Sequence, residues 1–178
     1  MDQEQKKKKA AKKALEIVLS NINKDTVLGI GTGSTTDYFT QLLIEHKLDF
    51  KGVICSSIKT SEFFKDSGLS ILELNEVHEL DYYIDGADEF NKRLELIKGG
   101  GGALTREKIL SNSSKIFICI VDDSKFSEKL GSFPLPIEVI KIARSAISRE
   151  LLKMGGRPVY REGFISDNGN QIIDVHNL

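Results

Sequence analysis

Between residues 25 and 46 a short apolar run, DTVLGI, breaks at glycines and passes at once into TTDYFTQLLIEH, a helical pattern with Tyr38, Phe39, Leu42 and Leu43 on one side. The unit of strand, turn and helix then recurs. Residues 52–55 read as a strand, 61–67 as a short helix ended by Gly68, 70–74 and 80–84 as further strands, 104–110 as a short helix, and 115–121 as a strongly apolar strand. Strands alternating with helices predict an α/β fold, a mainly parallel sheet with helices on both faces. Ligands bind such sheets beyond the carboxyl ends of the strands. There fall GTGST, DGADE, the glycine run KGGGGA and residues 122–125.

Composition bounds the rest. At 178 residues the chain supports one well-buried core, or a main domain with a small appendage. Its 40% hydrophobic and 29% charged residues suit a folded globular protein. Lys plus Arg number 25 against 26 Asp plus Glu, a formal charge of -1, so the broad basic field of a non-specific nucleic-acid binder is missing. Any anion site must be local, and no nucleic-acid partner is expected. Cys55 and Cys119 lie in apolar stretches without CxxC spacing, which predicts buried free thiols in a reducing compartment. No apolar run reaches the length of a bilayer span, and MDQEQKKKKAAKKALEIVL lacks the hydrophobic segment of a secretory signal. The expected location is the cytoplasm, with no membrane partner. The lysine run 6–9 merges into Ala10, Ala14, Leu15 and Val18 at helical spacing and reads as the solvated face of a first helix.

From Phe133 the texture changes. FPLPIEVI carries two of the three prolines, residues 143–154 are helical, and 157–166 and 171–175 are strand-like segments flanking DNGN. Asn168-Gly169 signals a hairpin, since both residues tolerate the positive φ that a two-residue turn demands. The expected organisation is a catalytic α/β domain over 1–132 and a small βαββ lobe over 133–178.

In GIGTGSTT three alternate glycines let the backbone pass close to a ligand. Ser34 and Thr35 add hydroxyls at a helix N-terminus, where free N–H groups and the dipole attract an anion. The loop suits a phosphate; a tight turn capped by Ser34 is the competing reading. It is not GxGxxG, because position 34 is serine, and no Lys-Ser/Thr pair follows as in a Walker loop, so nucleoside triphosphate hydrolysis is disfavoured. DGADE brings Asp85, Asp88 and Glu89 together, carboxylates that can bind a hard metal, accept sugar hydroxyls or share acid-base work, or simply form a polar turn with Asp88 as its cap. KGGGGALTREK holds four consecutive glycines, whose conformational entropy a merely structural loop rarely keeps, so close backbone approach to a ligand is expected. Lys98 offers a positive charge for a developing oxyanion, or is a surface lysine at a strand end. Glu107, near the start of the next helix, is either a dipole partner or a general base. Lys125 in VDDSKF adds a second cation. His46, His78 and His176 lie in no HxH or HExxH spacing, so neither a histidine metal centre nor a Ser-His pair is expected.

Taken in order, GTGSTT, SSIKTSE at 56–62, DGADE, KGGGGALTREKI, VDDSKF, FPLPIEV and DNGNQIIDVHNL closely resemble ribose-5-phosphate isomerases of type A, from the first helix to the last residue. The resemblance implies a Rossmann-like domain joined to a ferredoxin-like α+β lobe. It also implies interconversion of ribose 5-phosphate and ribulose 5-phosphate in the non-oxidative pentose phosphate pathway, with no metal and no cofactor, by a homodimer or tetramer. Carried over by motif, Thr32, Gly33, Ser34 and Thr35 form the first substrate loop, with Ser34 and Thr35 near the phosphate. Asp85, Gly86, Ala87 and Asp88 line the sugar, and Lys98 with Gly99, Gly100 and Gly101 contacts its reacting end. Glu107 corresponds to the proton acceptor and Lys125 to a further substrate-binding lysine. A lysine of the first helix reaches the phosphate in relatives, and the run 6–9 leaves its identity open. Relatives continue beyond DVHNL, so the lobe is expected to be incomplete, a truncated form with uncovered apolar surface, an unpaired strand edge and a tendency to associate.

Aldose–ketose isomerisation removes a proton from C2 and returns one to C1 through a cis-enediolate. It needs a mobile base, a stabiliser for the oxyanion and groups that open the furanose ring. The resemblance assigns the base to Glu107, the stabiliser to Lys98 with glycine-loop N–H groups, and ring opening to Asp85 or Asp88. The phosphate serves as the anchor. A non-catalytic sugar-phosphate sensor would use the GTGST loop without needing Glu107. An amino-sugar-phosphate deaminase would share that loop but give KGGGGALTREK no task.

Overall fold

The computed structural model describes residues 1–177. Its elements run α1 (Gln3–Leu19), β1 (Val27–Ile30), α2 (Ser34–Glu45), β2 (Gly52–Cys55), α3 (Ile58–Glu62), β3 (Leu80–Asp85), β4 (Glu89–Phe90), β5 (Leu96–Ile97), α4 (Leu104–Asn112), β6 (Ser114–Cys119), β7 (Leu135–Val139), α5 (Arg144–Lys153), β8 (Arg157–Tyr160) and β9 (Gln171–His176). Packing divides them into two compact units. The first comprises Met1–Gly86 and Arg106–Ser124, the second Ala87–Thr105 and the segment from Lys125 onward.

In the first unit Asp2 starts α1 through a capping box, accepting from Gln5 N–H at 2.8 Å while its own N–H donates to Gln5 Oε1 at 3.1 Å. Ala11, Ala14, Leu15 and Val18 form the buried stripe of this helix, and Lys8 and Lys9 face solvent. The sheet is parallel in the order β2-β1-β3-β6. Strand alternation sends Leu28, Ile30, Val53, Tyr82 and Ile84 into one core with Leu15, Val18, Phe39 and Leu43 of α1 and α2. Val27, Ile54 and Tyr83 join Leu110 of α4 in a second core. The α/β class read from the sequence is therefore the one found. Because β1 lies between β2 and β3, the chain winds first to one side and then to the other. A topological switch point falls at the carboxyl ends of β1 and β3, at Gly31 and Asp85.

Two elements differ from the sequence reading. Residues 70–74 form no strand: Ile71 makes a single parallel bridge to Val53, and Leu74–Glu76 turns into a 3-10 helix. The helix expected over 61–67 begins at Ile58 instead, because the Ser57 hydroxyl accepts from Thr60 N–H at 3.1 Å and caps it there.

In the second unit β7, β9 and β8 form an antiparallel sheet in the order β7-β9-β8. Val139, Ile173 and Val175 cluster there with Leu151 of α5, which gives the expected βαββ succession. The short β4–β5 hairpin was not visible in the sequence. The boundary expected between 132 and 133 falls inside this unit because the preceding segment bonds to that hairpin. Ser127 N–H donates to the Phe90 carbonyl at 2.8 Å, and Gly131 and Phe133 N–H donate to the Glu89 carboxylate at 2.8 and 2.5 Å. Between β8 and β9 the turn centres on Asp167 and Asn168 rather than on Asn168-Gly169. Gly169 N–H closes on the Ser166 carbonyl at 2.8 Å, and of this pair only Gly169 has a positive φ, +77°.

Cys55 and Cys119 are free thiols, half-buried rather than fully buried, and burial pushes the Cys55 thiol up to about 12. Among the described residues no helix is long and apolar enough to cross a membrane.

Candidate active site

At the switch point of the first unit Gly31 brings the β1 loop against Asp85. A side chain at position 31 would place its first carbon 2.0 Å from Asp85 Cγ, so only glycine fits. Asp85 is fully buried and held from several directions. One oxygen accepts from Thr32 N–H at 3.1 Å and Gly86 N–H at 2.7 Å, and the other from the Tyr83 hydroxyl at 2.5 Å. Burial first, and then the charges of Asp85 and Glu107, drive the Tyr83 phenol far above its ordinary pKa, so it stays a donor. Glu107, in the first turn of α4, is 4% exposed. The charges of Glu107 and Asp85 thus both bear on Tyr83.

The GTGST loop shows which of its groups are engaged within the protein. The Thr32 hydroxyl lies 2.7 to 3.2 Å from those of Ser57, Ser56 and Thr60, and Thr60 in turn donates to the Gly31 carbonyl at 2.9 Å. Thr32 therefore ties the loop to the α3 cap. Ser34 is the first residue of α2 and not its cap. The cap is Gly33, which has no side chain to bond the opening N–H groups. That removes the tight-turn reading and leaves an uncapped helix N-terminus beside the exposed Ser34 and half-buried Thr35. On α1, Lys6 pairs with Asp123 at 2.7 Å, Lys7 with Glu4 at 2.8 Å, and Lys8 lies 5.2 Å from the Tyr38 ring centre.

The second unit carries the remaining expected residues. Asp88 N–H donates to the Ile97 carbonyl and its carboxylate accepts from Gly100 N–H, each at 2.8 Å, which ties the DGADE turn to the glycine run. Lys98 follows β5 directly and is half-buried. Gly102 N–H closes a turn on the Gly99 carbonyl at 2.8 Å; its φ of +87° and the Phe164 ring, 2.2 Å from where a side-chain carbon would stand, both require glycine. Lys125 ends a short 3-10 turn and is half-buried. Glu89, grouped in the sequence with the possible reactive carboxylates, instead holds Gly131 and Phe133. Among the described residues no group of three or more His, Cys, Asp or Glu is arranged to hold a metal ion.

Sequence reasoning missed Tyr83 and the hydroxyl cluster of Ser56, Ser57 and Thr60. Tyr83 was within reach of it, because residues i and i+2 of a strand share a face and Asp85 was already singled out.

The family model for ribose 5-phosphate isomerase A (phosphoriboisomerase A) matches residues 52–178. Among solved structures, ribose 5-phosphate isomerase A from Neisseria gonorrhoeae superposes with a TM-score of 0.93 at 45% identity, over 99% of this chain and 78% of that one. The enzyme from Methanocaldococcus jannaschii matches with a TM-score of 0.91 at 38% identity, over 99% and 81%. A D-ribose-5-phosphate isomerase solved in complex with phospho-erythronic acid matches with a TM-score of 0.91 at 40% identity, over 98% and 80%. With these matches and the motif geometry together, the chain belongs to the ribose 5-phosphate isomerase A family.

Proposed function

We propose that this chain interconverts ribose 5-phosphate and ribulose 5-phosphate through an enediolate, with Glu107 as the base that moves the proton between C2 and C1. The observation that carries this reading is Glu107 itself, a carboxylate withdrawn from solvent whose charge bears on Tyr83, the donor to Asp85. A sugar-phosphate sensor has no use for such a group.

The phosphate anchors at the uncapped start of α2, with Gly33, Ser34 and Thr35 supplying N–H and hydroxyl donors and Thr32 fixing the loop from behind. Asp85 and Gly86 shape the sugar subsite from β3. Of the two aspartates, Asp88 is the better candidate for ring opening, since Asp85 is fully buried and occupied by backbone and Tyr83 donors, whereas Asp88 is half-buried and bonded to Gly100 N–H. Lys98 and the N–H groups of Gly99 and Gly101 stabilise the enediolate oxygen, with Gly100 held by Asp88 to shape the run, and Lys125 adds a cation for the substrate. Lys98 supplies the electrophilic charge that a metal would otherwise provide, so the reaction proceeds without metal or cofactor. The reading also places the chain in the cytoplasm as a homodimer or higher homo-oligomer.

The test is conversion of ribose 5-phosphate to ribulose 5-phosphate by the purified chain. Turnover supports the reading. Binding of the sugar phosphate without turnover would leave the sensor.

A further inference from the structure

Arg161, just beyond β8, enters none of the steps above, yet its guanidinium is engaged on several sides. Its Nε and Nη2 donate to the two carboxylate oxygens of Asp174 on β9, the Nε bond at 2.8 Å, and its Nη1 donates to the Gly100 carbonyl at 2.9 Å. The guanidinium carbon lies 5.2 Å from the centre of the Phe164 ring, the same ring that packs on Gly102. Gly100 is therefore gripped on both sides, its N–H by Asp88 and its carbonyl by Arg161. With Gly102 N–H turned onto the Gly99 carbonyl, the amides of Gly99 and Gly101 remain as the run's donors, and Gly101 is the exposed one.

We infer that Arg161, oriented by Asp174, is a positioning residue for the reaction: it fixes the Gly100–Gly101 peptide so that the Gly101 N–H is held ready for the oxyanion. Four successive glycines have no side chains to hold their shape, so the orientation of that amide must be imposed from outside. A guanidinium suits this task because its planar fork satisfies a carboxylate with two donors and keeps a third for a carbonyl. An ammonium group at the same position cannot hold both partners in fixed directions. The inference rests on the isomerase reading, since it is the enediolate that gives the Gly101 N–H a task.

The experiment compares the parent chain with Arg161→Ala, Arg161→Lys and Asp174→Asn. Steady-state isomerisation of ribose 5-phosphate is measured with and without added guanidinium, and hydrogen exchange is followed at the glycine-run amides. Arg161→Ala should lower kcat roughly tenfold to a hundredfold with KM changed by less than about threefold, because the phosphate anchor is untouched while the oxyanion loses a positioned donor. Guanidinium should restore part of kcat in a saturable way, ammonium should not, and Arg161→Lys should remain impaired. Asp174→Asn should reproduce the defect in weaker form. Exchange at the bonded amides of Gly100 and Gly102 should accelerate in Arg161→Ala while the β7–β9 amides stay protected. A kcat within twofold of the parent overturns the inference, and so does a fall in kcat with accelerated exchange across the whole β7–β9 sheet and no recovery by guanidinium. Failure of the parent to isomerise would overturn the functional reading instead, and unchanged exchange at Gly100 and Gly102 in Arg161→Ala would then overturn the clamp separately.

Discussion

Gly31→Ala tests the architecture of the switch point more sharply than any polar substitution. Position 31 has no positive φ, so alanine meets no backbone strain there, and the whole effect is steric. The new methyl would lie 2.0 Å from Asp85 Cγ and 2.1 Å from Oδ1, well inside contact distance, and it has no flexible side-chain tip to push aside. Either the β1 loop or the Asp85 side chain must move. Moving Asp85 weakens the bonds from Thr32 N–H, Gly86 N–H and Tyr83, at 3.1, 2.7 and 2.5 Å. Bonds to a charged acceptor contribute about 1.5–3 kcal/mol each, and overpacking a rigid site costs about 1–3 kcal/mol. With part of the network retained by relaxation, the expected loss is about 2–5 kcal/mol, a large share of the ~5–15 kcal/mol that holds a domain together. Urea unfolding at neutral pH measures it directly. Gly101→Ala serves as the control, since a methyl there meets nothing within 4 Å and no positive φ opposes it, and its stability should stay within about 0.5 kcal/mol of the parent. A Gly31→Ala chain as stable as Gly101→Ala would refute the close packing of loop and carboxylate.

Three further outcomes follow from the same geometry. Tyr83→Phe removes the hydroxyl that donates to Asp85, and a buried charged acceptor deprived of that donor should cost about 1–3 kcal/mol in urea unfolding. Glu138 loses some ease of ionisation to burial but gains more from hydrogen bonds with Ser166, Thr105, Asn170 and Asn168, which leave its carboxyl below the ordinary value of 4.5. A lowered folded pKa contributes stability above the unfolded value and loses it as pH falls through the folded one. Stability should therefore drop on acidification below about 4.5, and Glu138→Gln should flatten that part of the profile followed by circular dichroism. Activity should survive EDTA unchanged; loss on chelation with recovery on adding a divalent ion would reassign Asp85 and Asp88 as metal ligands.

The four strands of the parallel sheet were legible as short, largely apolar runs; β1 and β3 are mostly buried and run straight onto Gly31 and Asp85, whereas β2 runs onto serine and β6 is only partly buried. Residues 70–74 misled because SILEL has the same texture, while the pairing it makes is a single bridge at Ile71. The β4–β5 hairpin escaped notice since two-residue strands carry no periodicity. In the site, glycine runs and carboxylates announced themselves by composition. That Glu89 is tied up by the Gly131 and Phe133 amides did not, because those donors lie far along the chain from DGADE. Arg161 carried no signal either, since its partners Gly100 and Asp174 are distant along the chain and a strand-end arginine reads as surface charge.

The central claim is proton transfer by Glu107, and the fate of the C2 hydrogen reads it most directly. Ribose 5-phosphate is incubated in D2O with the parent chain or with Glu107→Gln, and deuterium entering the sugar is followed by NMR. With the parent, deuterium should appear at C1 of ribulose 5-phosphate and wash back into C2 of ribose 5-phosphate. Glu107→Gln should still bind the sugar phosphate but exchange about a hundredfold to ten-thousandfold more slowly. Exchange by Glu107→Gln at the parent rate, or isomerisation by the parent that carries the original hydrogen from C2 to C1 without any solvent deuterium, would contradict it.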